Sequence, residues 1–551
     1  MVPVKKLILS GEPLAFFALI LITVLTQIPF LMHAASYLDA DEAYNAIVSQ
    51  RMIHEHYRPL NIPGAPYQGI TELAGTIPAQ LILGAGPGAY KFSIFLAYLV
   101  LVGTSFKLLR LLGIGVTYAF WGTLPLAFNI WITKHFAFFA VGGHTTITAL
   151  GTLALFCFFK YRKKNSSSSR TWLWFAGFFM GFAYYTYTLA IYYLGLFLTI
   201  GIIENGVRGL IKKIGSTKNG YLALGGFGLG YAPGILAKIF RVDVGGPVMG
   251  LADPASIFQS LKLCVTEILP YYAGVKWIPA ESLPFYRGIQ NLTHVASFTL
   301  PTSLKIAGHL YLAILFGFII FVIHRNLGEI KAYLSLQKRL LSEESIMILG
   351  LLWIFGVAIL SRQLHDFVHV RFLIPVLGFI PFLWCRFLEW IEQRGGRKAL
   401  VVFLVFTLAY IGCHYHVYAL QQGLYRQTPN AAESDMQDLI GFLDNHALAL
   451  SFSEYWISHK LTYLSGRQHQ SIPVMTYARD SSYEIFIYRS LMRKPVAERP
   501  YIFFTGSAHL HTWKRFSQKH DIAYQCYANP TYTVVYGMNK ENTFFDLRPF
   551  Y

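Results

Sequence analysis

The sequence predicts a polytopic α-helical membrane protein with a soluble α/β domain at its C-terminal end. Three observations carry this. The 551 residues are 54% hydrophobic and 16% aromatic, but only 13% charged. Mean hydropathy is +0.43, high for a soluble globular chain. Apolar runs of the length that a bilayer core demands recur up to about residue 420, and then the pattern changes.

Spans are expected near 14–33, 88–106, 117–133, 142–159, 172–187, 189–204, 221–240, 304–324, 346–361, 371–388 and 400–417, about eleven in all. The stretch "TWLWFAGFFMGFAYYTYTLAIYYLGLFLTIGII" is too long for one untilted helix and reads as two joined by a tight turn. The first run follows Lys5 and Lys6 and has no clear small-x-small cleavage site, so it reads as an uncleaved span.

The net charge of +18 raises nucleic acid as a partner, but its distribution argues against one. Basic residues gather in alternate loops: Lys5 and Lys6, Lys107 and Arg110, then "KYRKKNSSSSR", "VRGLIKKIGSTK", "HRNLGEIKAYLSLQKR" and "RFLEWIEQRGGRK". By the positive-inside rule these loops are cytoplasmic. The alternation needs an internal N-terminus and an odd number of spans, which again favours splitting 172–204.

The expected organisation is a membrane domain over 1–424, with external loops 34–87 and 241–303, and an external α/β domain over 425–551. In the latter, "DMQDLIGFLDNH", "EYWISHKLTYLSG", "YEIFIYRSLM" and "HTWKRFSQKH" read as helices. "ALALSFS", "SIPVMTY", "YIFFTG" and "TYTVVYGM" read as strands. "NLT" at 291–293 matches a glycosylation sequon. Five cysteines are too few for a disulfide framework, although Cys264 and Cys526 would lie on the same side and a bond between them is open.

The chemistry concentrates where the first span ends. "SYLDADEAYNA" holds Asp39, Asp41 and Glu42 within four residues. From Glu42 to Ile53 the chain can form a helix along the membrane surface, with Ala43, Ala46 and Ile47 on its buried side. Asp39 or Asp41 can cap it, and that structural role alone accounts for acids at a helix start. A catalytic role needs cations and aromatics nearby. Tyr44, Tyr67, Glu72, Lys134 and His135 lie in the same external region, and "SRQLHDFVHVRFLIP" brings Arg362, His365, Asp366, His369 and Arg371 to the mouth of the tenth span.

"LDADEAYNAIVSQRMI" resembles the first external loop of the protein O-mannosyltransferase and aminoarabinose-transferase superfamily. These are GT-C-fold glycosyltransferases, grouped as family 39 and its bacterial relatives. The match is Asp41-Glu42, then Tyr44 and Ala46. "YQGITELAGTIPA", "GFAYYTYTLAIYYL", "VRFLIPVLGFIP" and "SEYWISHKLTYLSG" are similar to later segments of bacterial members. The "Lys-Pro-Pro" stretch of the aminoarabinose enzymes is absent, with "YQGITEL" in its place.

The resemblance implies an inverting transfer of sugar from a polyprenyl-phosphate donor to an unknown acceptor, whether lipid, polymer or protein. Asp41 matches the family's base, Glu42 would support it or bind acceptor, and Asp39 is a second candidate base. Arg371 is the first candidate for the donor phosphate, with Lys134 and His369 behind it. Arg suits because its planar fork grips phosphate oxygens. Tyr44, Tyr67 and Glu72 are candidate substrate-binding residues. No cofactor is required, though His365, Asp366 and His369 also suit a divalent metal. His144 in "VGGHTT" reads as a satisfied histidine at a span end. The implied location is a bacterial inner membrane with a periplasmic site. The alternative is a transporter or flippase, since charges lining a mouth also mark substrate pathways.

Overall fold

A computed structural model describes residues 11–63, 65–128, 142–163, 167–240, 252–272, 302–325, 327–328, 341–361, 364, 367–421, 431–473 and 499–538. The first part is a helical bundle. It begins with α1 (Glu12–Met32), α2 (Ala40–His54), a short hairpin of β1 (Asn61–Ile62) and β2 (Ala65–Gly69), and α3 (Thr71–Leu83). Then come α4 (Pro87–Leu111), α5 (Val116–Phe128), α6 (His144–Lys163), α7 (Ser167–Thr186) and α8 (Ile191–Ser216). The bundle continues through α9 (Lys218–Gly230), α10 (Ala232–Ile239), α11 (Pro254–Leu263), α12 (Leu269–Tyr272), α13 (Thr302–Arg325) and α14 (Glu343–Leu360). It closes with a 3-10 segment (Phe367–Gly378) and α15 (Ile380–Gln421).

Each expected span overlaps one of these helical segments, but the count of eleven is not established. Among the described residues, five helices are long and apolar enough to cross a membrane, and six if the α9–α10 pair, bent by 61°, counts as one. The long 172–204 stretch is two helices, with Tyr187 in extended conformation at the break (φ −160°, ψ 131°). Gly396 (φ 72°) kinks α15 inside the basic "EQRGGRK" stretch.

Two features hold the bundle in register. Helices α7 and α9 pack backbone to backbone through glycines four apart on each. A Cβ at Gly177 or Gly181 would overlap the carbonyl of Ala223 or Phe227, and one at Gly226 or Gly230 that of Trp174 or Phe178. Small residues at this spacing let apolar helices approach closely.

The basic ends also meet at one end of the bundle. Lys107 and Arg110 of α4 pair with Glu12 at 2.9 and 3.0 Å. Lys163 of α6 donates to the Leu111 carbonyl and lies 3.3 Å from Glu343. Arg162 pairs with Glu204 at 2.6 Å.

The C-terminal part contains α16 (Ala431–Asn445), β3 (Leu450–Ser453), α17 (Tyr455–Leu464), β4 (Gln470–Pro473), β5 (Tyr501–Phe504), α18 (Ala508–Lys519), β6 (Gln525–Ala528) and β7 (Tyr532–Tyr536). The five strands form one sheet in the order β4-β3-β5-β7-β6. Strands β4, β3 and β5 run parallel, while β7 is antiparallel to both of its neighbours. The helices and strands expected here are present wherever their residues are described. Strand β6 is an addition: it is a four-residue edge strand with mostly exposed side chains, so it lacks an apolar alternation. The expected helix "YEIFIYRSLM", the 424–425 boundary, the sequon and most of loop 241–303 lie outside the described residues.

The open Cys264–Cys526 bond is not made. Cys264 is buried in the bundle core, Cys526 is exposed on β6, and all five cysteines are free.

Candidate active site

The acidic cluster starts helix α2. Asp39 is extended (φ −89°, ψ 163°) and is the N-cap. Its carboxylate accepts from the Asp41 backbone N–H at 2.6 Å, and its own N–H donates to Glu42 Oε2 at 3.1 Å. This reciprocal capping box satisfies donors that a helix start leaves unpaired. Asp39 precedes the helix and Asp41 lies within its first turn. Burial, together with the Asp41 and Glu42 charges, pushes the Asp39 carboxyl well above the usual carboxylate range.

Glu42 is fully buried, and Oε1 accepts from Lys91 Nζ at 2.5 Å. Lys91 is 1% exposed and lies one turn into α4. Glu42 is thus held inside the fold by a buried ion pair. Asp41, by contrast, is half-buried at the helix start.

Glu72 stands on α3 beside this group. Thr146 Oγ1 donates to it at 2.7 Å, and the Gly143 N–H donates as well. Burial raises its pKa to about 7 despite these hydrogen bonds, and the Glu42 charge adds to the rise. Tyr90 on α4 lies within electrostatic reach of both Glu42 and Glu72, and hydrogen-bonds Asn45 of α2.

A second group adjoins through His144, the residue after Gly143. The His144 ring meets Tyr187 edge-on at 5.2 Å and Phe372 at 5.6 Å. Tyr187 in turn faces Tyr67 at 5.9 Å. Arg371 lies over the Phe372 ring at 5.4 Å, within electrostatic reach of His144 and Tyr187. Buried His144 Nδ1 and Arg371 Nε have no hydrogen-bond partner among the described residues. This corrects the expectation of a satisfied histidine at 144.

The expected site residues are thus partly brought together. Asp39, Asp41, Glu42 and Glu72 form one group. Tyr67 and Arg371 form a second, joined to the first through Gly143 and His144. Tyr44 makes contacts outside both groups: its hydroxyl donates to the Pro63 carbonyl at 3.3 Å and its ring packs on His459 of α17. Lys134, His135, Arg362, His365, Asp366 and the side chain of His369 lie outside the described residues. Among the described residues, no group of three His, Cys, Asp or Glu is placed to hold a metal.

Sequence reasoning missed Lys91, Thr146 and Tyr187. Lys91 has a readable signal: a lysine one turn inside an apolar span needs a buried partner.

The chain has a GT-C-like fold. It is similar to the crystal structure of ArnT from Cupriavidus metallidurans bound to undecaprenyl phosphate, with TM-score 0.57, 13% identity, and 93% of this chain and 97% of that chain covered. The same ArnT in the apo state gives 0.58 and 14% over the same shares. The Archaeoglobus fulgidus oligosaccharyltransferase, in complex with Zn and sulfate, gives 0.51 and 11%, covering 95% of this chain and 72% of that chain. No protein-family profile and no curated protein sequence matches the chain.

Proposed function

We propose that this protein is an inverting glycosyltransferase that uses a polyprenyl-phosphate sugar. In this reading it is a bacterial member of the family 39 superfamily, with its N-terminus in the cytoplasm and its C-terminal domain in the periplasm. The observation that carries the reading is the pairing of two groups: a half-buried carboxylate, Asp41, held at a helix start among other acids, and an adjoining cluster of His144, Tyr187 and Phe372 with the unpaired Arg371 Nε. Both lie at the start of helices α2, α4 and α6. The basic ends of α4 and α6 are at the far end of the bundle, about 25–30 Å away along a helix of this length. That polarity fits a site on the side opposite the positive loops.

In the proposed reaction the acceptor hydroxyl oxygen attacks C1 of the sugar from the face opposite the phosphate. The C1–O bond breaks and its electron pair leaves with polyprenyl phosphate. Asp41 takes the acceptor's proton. Arg371 binds the phosphate as its charge grows, and Lys134 and His369 are the further candidates for that role. Asp39 serves as cap and holds Asp41's backbone. Tyr67 and Glu72 line the sugar side. Tyr44, turned toward the C-terminal part, acts on the helix rather than on substrate.

The fold supports transfer over the transporter alternative: one structure sharing it is an oligosaccharyltransferase, and ArnT was solved with undecaprenyl phosphate.

The test is a cell-free assay with purified protein, radiolabelled polyprenyl-phosphate sugars and membrane extract as acceptor. Wild type should transfer label and Asp41→Asn should not, with both equally folded. Equal transfer by the two would move the base to Asp39. No transfer from any donor would overturn the reading.

A further inference from the structure

Three carboxylates within four residues repel one another, and such a group does not stay fully ionised without a nearby cation. Lys91 is a cation paired with this cluster, through Glu42. Its ammonium holds Glu42 Oε1, Glu42 Oε2 accepts the Asp39 N–H, and the Asp39 carboxylate accepts the Asp41 N–H. One hydrogen-bonded path therefore runs from a span helix to the backbone of Asp41.

The path is sealed. Lys91 and Glu42 are 1% and 0% exposed. Leu38, Ala43, Ala46, Tyr90, Ile94 and Tyr463, chain neighbours of the pair and a residue of α17, form one buried apolar cluster. A buried ion pair is a weak source of stability but a strict setter of geometry, because breaking one side leaves an uncompensated charge.

We infer that Lys91 is a positioning residue for the transfer: its pair with Glu42 fixes where the start of α2 presents Asp41 and how much negative charge surrounds it. The inference rests on the proposed transferase reading and adds a residue to its site. Charged and titratable groups around the cluster include Asp39, Asp41 and Glu42 on its own segment, Lys91 and Tyr90 on α4, Glu72 on α3, and His459 and Tyr463 on α17. Of these, Lys91 forms an ion pair with the cluster, and burial holds the pKa of His459 down to about 3.

The experiment compares wild type, Lys91→Met, Lys91→Arg, Glu42→Gln and the Lys91→Met/Glu42→Gln double variant as full-length protein. Transfer is followed against pH, and backbone amide exchange is measured over 39–46. Lys91→Met should lower kcat about 100-fold, with the donor KM changed less than about threefold, and should move the acid limb of the profile up by about one pH unit. The double variant should recover about tenfold, because the side-chain amide introduced by Glu42→Gln still accepts from the Asp39 N–H and no charge is left unpaired. Lys91→Arg should recover part of the rate.

Exchange at the Asp41 to Ala43 amides should rise in Lys91→Met while the rest of the chain stays protected. A rate loss that only tracks the folded fraction, with an unmoved acid limb, would overturn the inference. So would unchanged exchange over 39–46, and that arm decides the positioning role even where wild type transfers no sugar, a result that would count against the transferase reading itself.

Discussion

The ring of Tyr44 on α2 meets the ring of His459 on α17 edge-on, with centroids 5.1 Å apart. A residue of the C-terminal part therefore packs on the helix that carries the acids. Nearby, Arg467 pairs with Glu55 at 2.7 Å, and Tyr463 is buried against Leu38, Ala43 and Tyr90. The C-terminal part, which by sequence reads as an accessory domain, is a wall of that face. His459→Ala should cost about 2–4 kcal/mol by leaving a cavity beneath Tyr44. Thermal unfolding in detergent checks this, and an unchanged Tm would deny the contact any role.

The same histidine gives this contact an acid limit. Burial lowers its pKa from 6.5 to about 3 in the folded protein. Between those values the unfolded chain binds the proton and the folded one does not, so this contribution to stability is lost as pH falls below about 6.5. His459→Phe should flatten that part of a stability–pH curve. A curve still as steep in the variant would place the acid sensitivity elsewhere.

Glu72 acts in the opposite sense. Its pKa is raised from 4.5 to about 7, mainly by burial. The folded state then holds the extra proton between those values, and stability falls as pH rises from about 4.5 through 7. Glu72→Gln keeps an oxygen for Thr146 and Gly143 but cannot ionise. It should remove this decline, which denaturation followed from about pH 5 to 8 would show. If Glu72 also touches substrate, the variant should lose a kinetic limb near pH 7.

Tyr463 separates packing from hydrogen bonding. It is 3% exposed and its hydroxyl has no partner among the described residues. Tyr463→Phe should be neutral or stabilising by up to about 1 kcal/mol, since it removes an unsatisfied polar atom. Tyr463→Ala should cost about 3–5 kcal/mol. A large loss in the Phe variant would reveal a functional hydroxyl.

The α7–α9 contact has no room for side chains at its glycines. Gly226→Leu would drive a side chain into the Trp174 carbonyl and should lower the Tm by more than either His459→Ala or Tyr463→Ala. Gly225→Ala, one residue away with open space at its Cβ, is the control and should leave the Tm within about 2 °C.

Sequence alone determined the helical membrane class, the break within 172–204, the mixed helices and strands of the C-terminal part, and a carboxylate cap on α2 from Asp39 or Asp41, which the structure resolves as Asp39. These follow from local rules: apolar length, charge alternation and capping chemistry act within a few residues of one another. Tertiary structure decided the rest. Lys91 is far from Asp41 in the chain, yet its partner Glu42 is Asp41's neighbour. His144 reads as an ordinary span-end histidine until its ring is seen against Tyr187 and Phe372. Glu42 and Asp41 are adjacent and chemically alike, but packing gives the first a buried ion pair and leaves the second half-buried. The division has a physical cause: local pattern fixes which face of a helix is apolar, whereas burial and pairing depend on what the other helices bring against it.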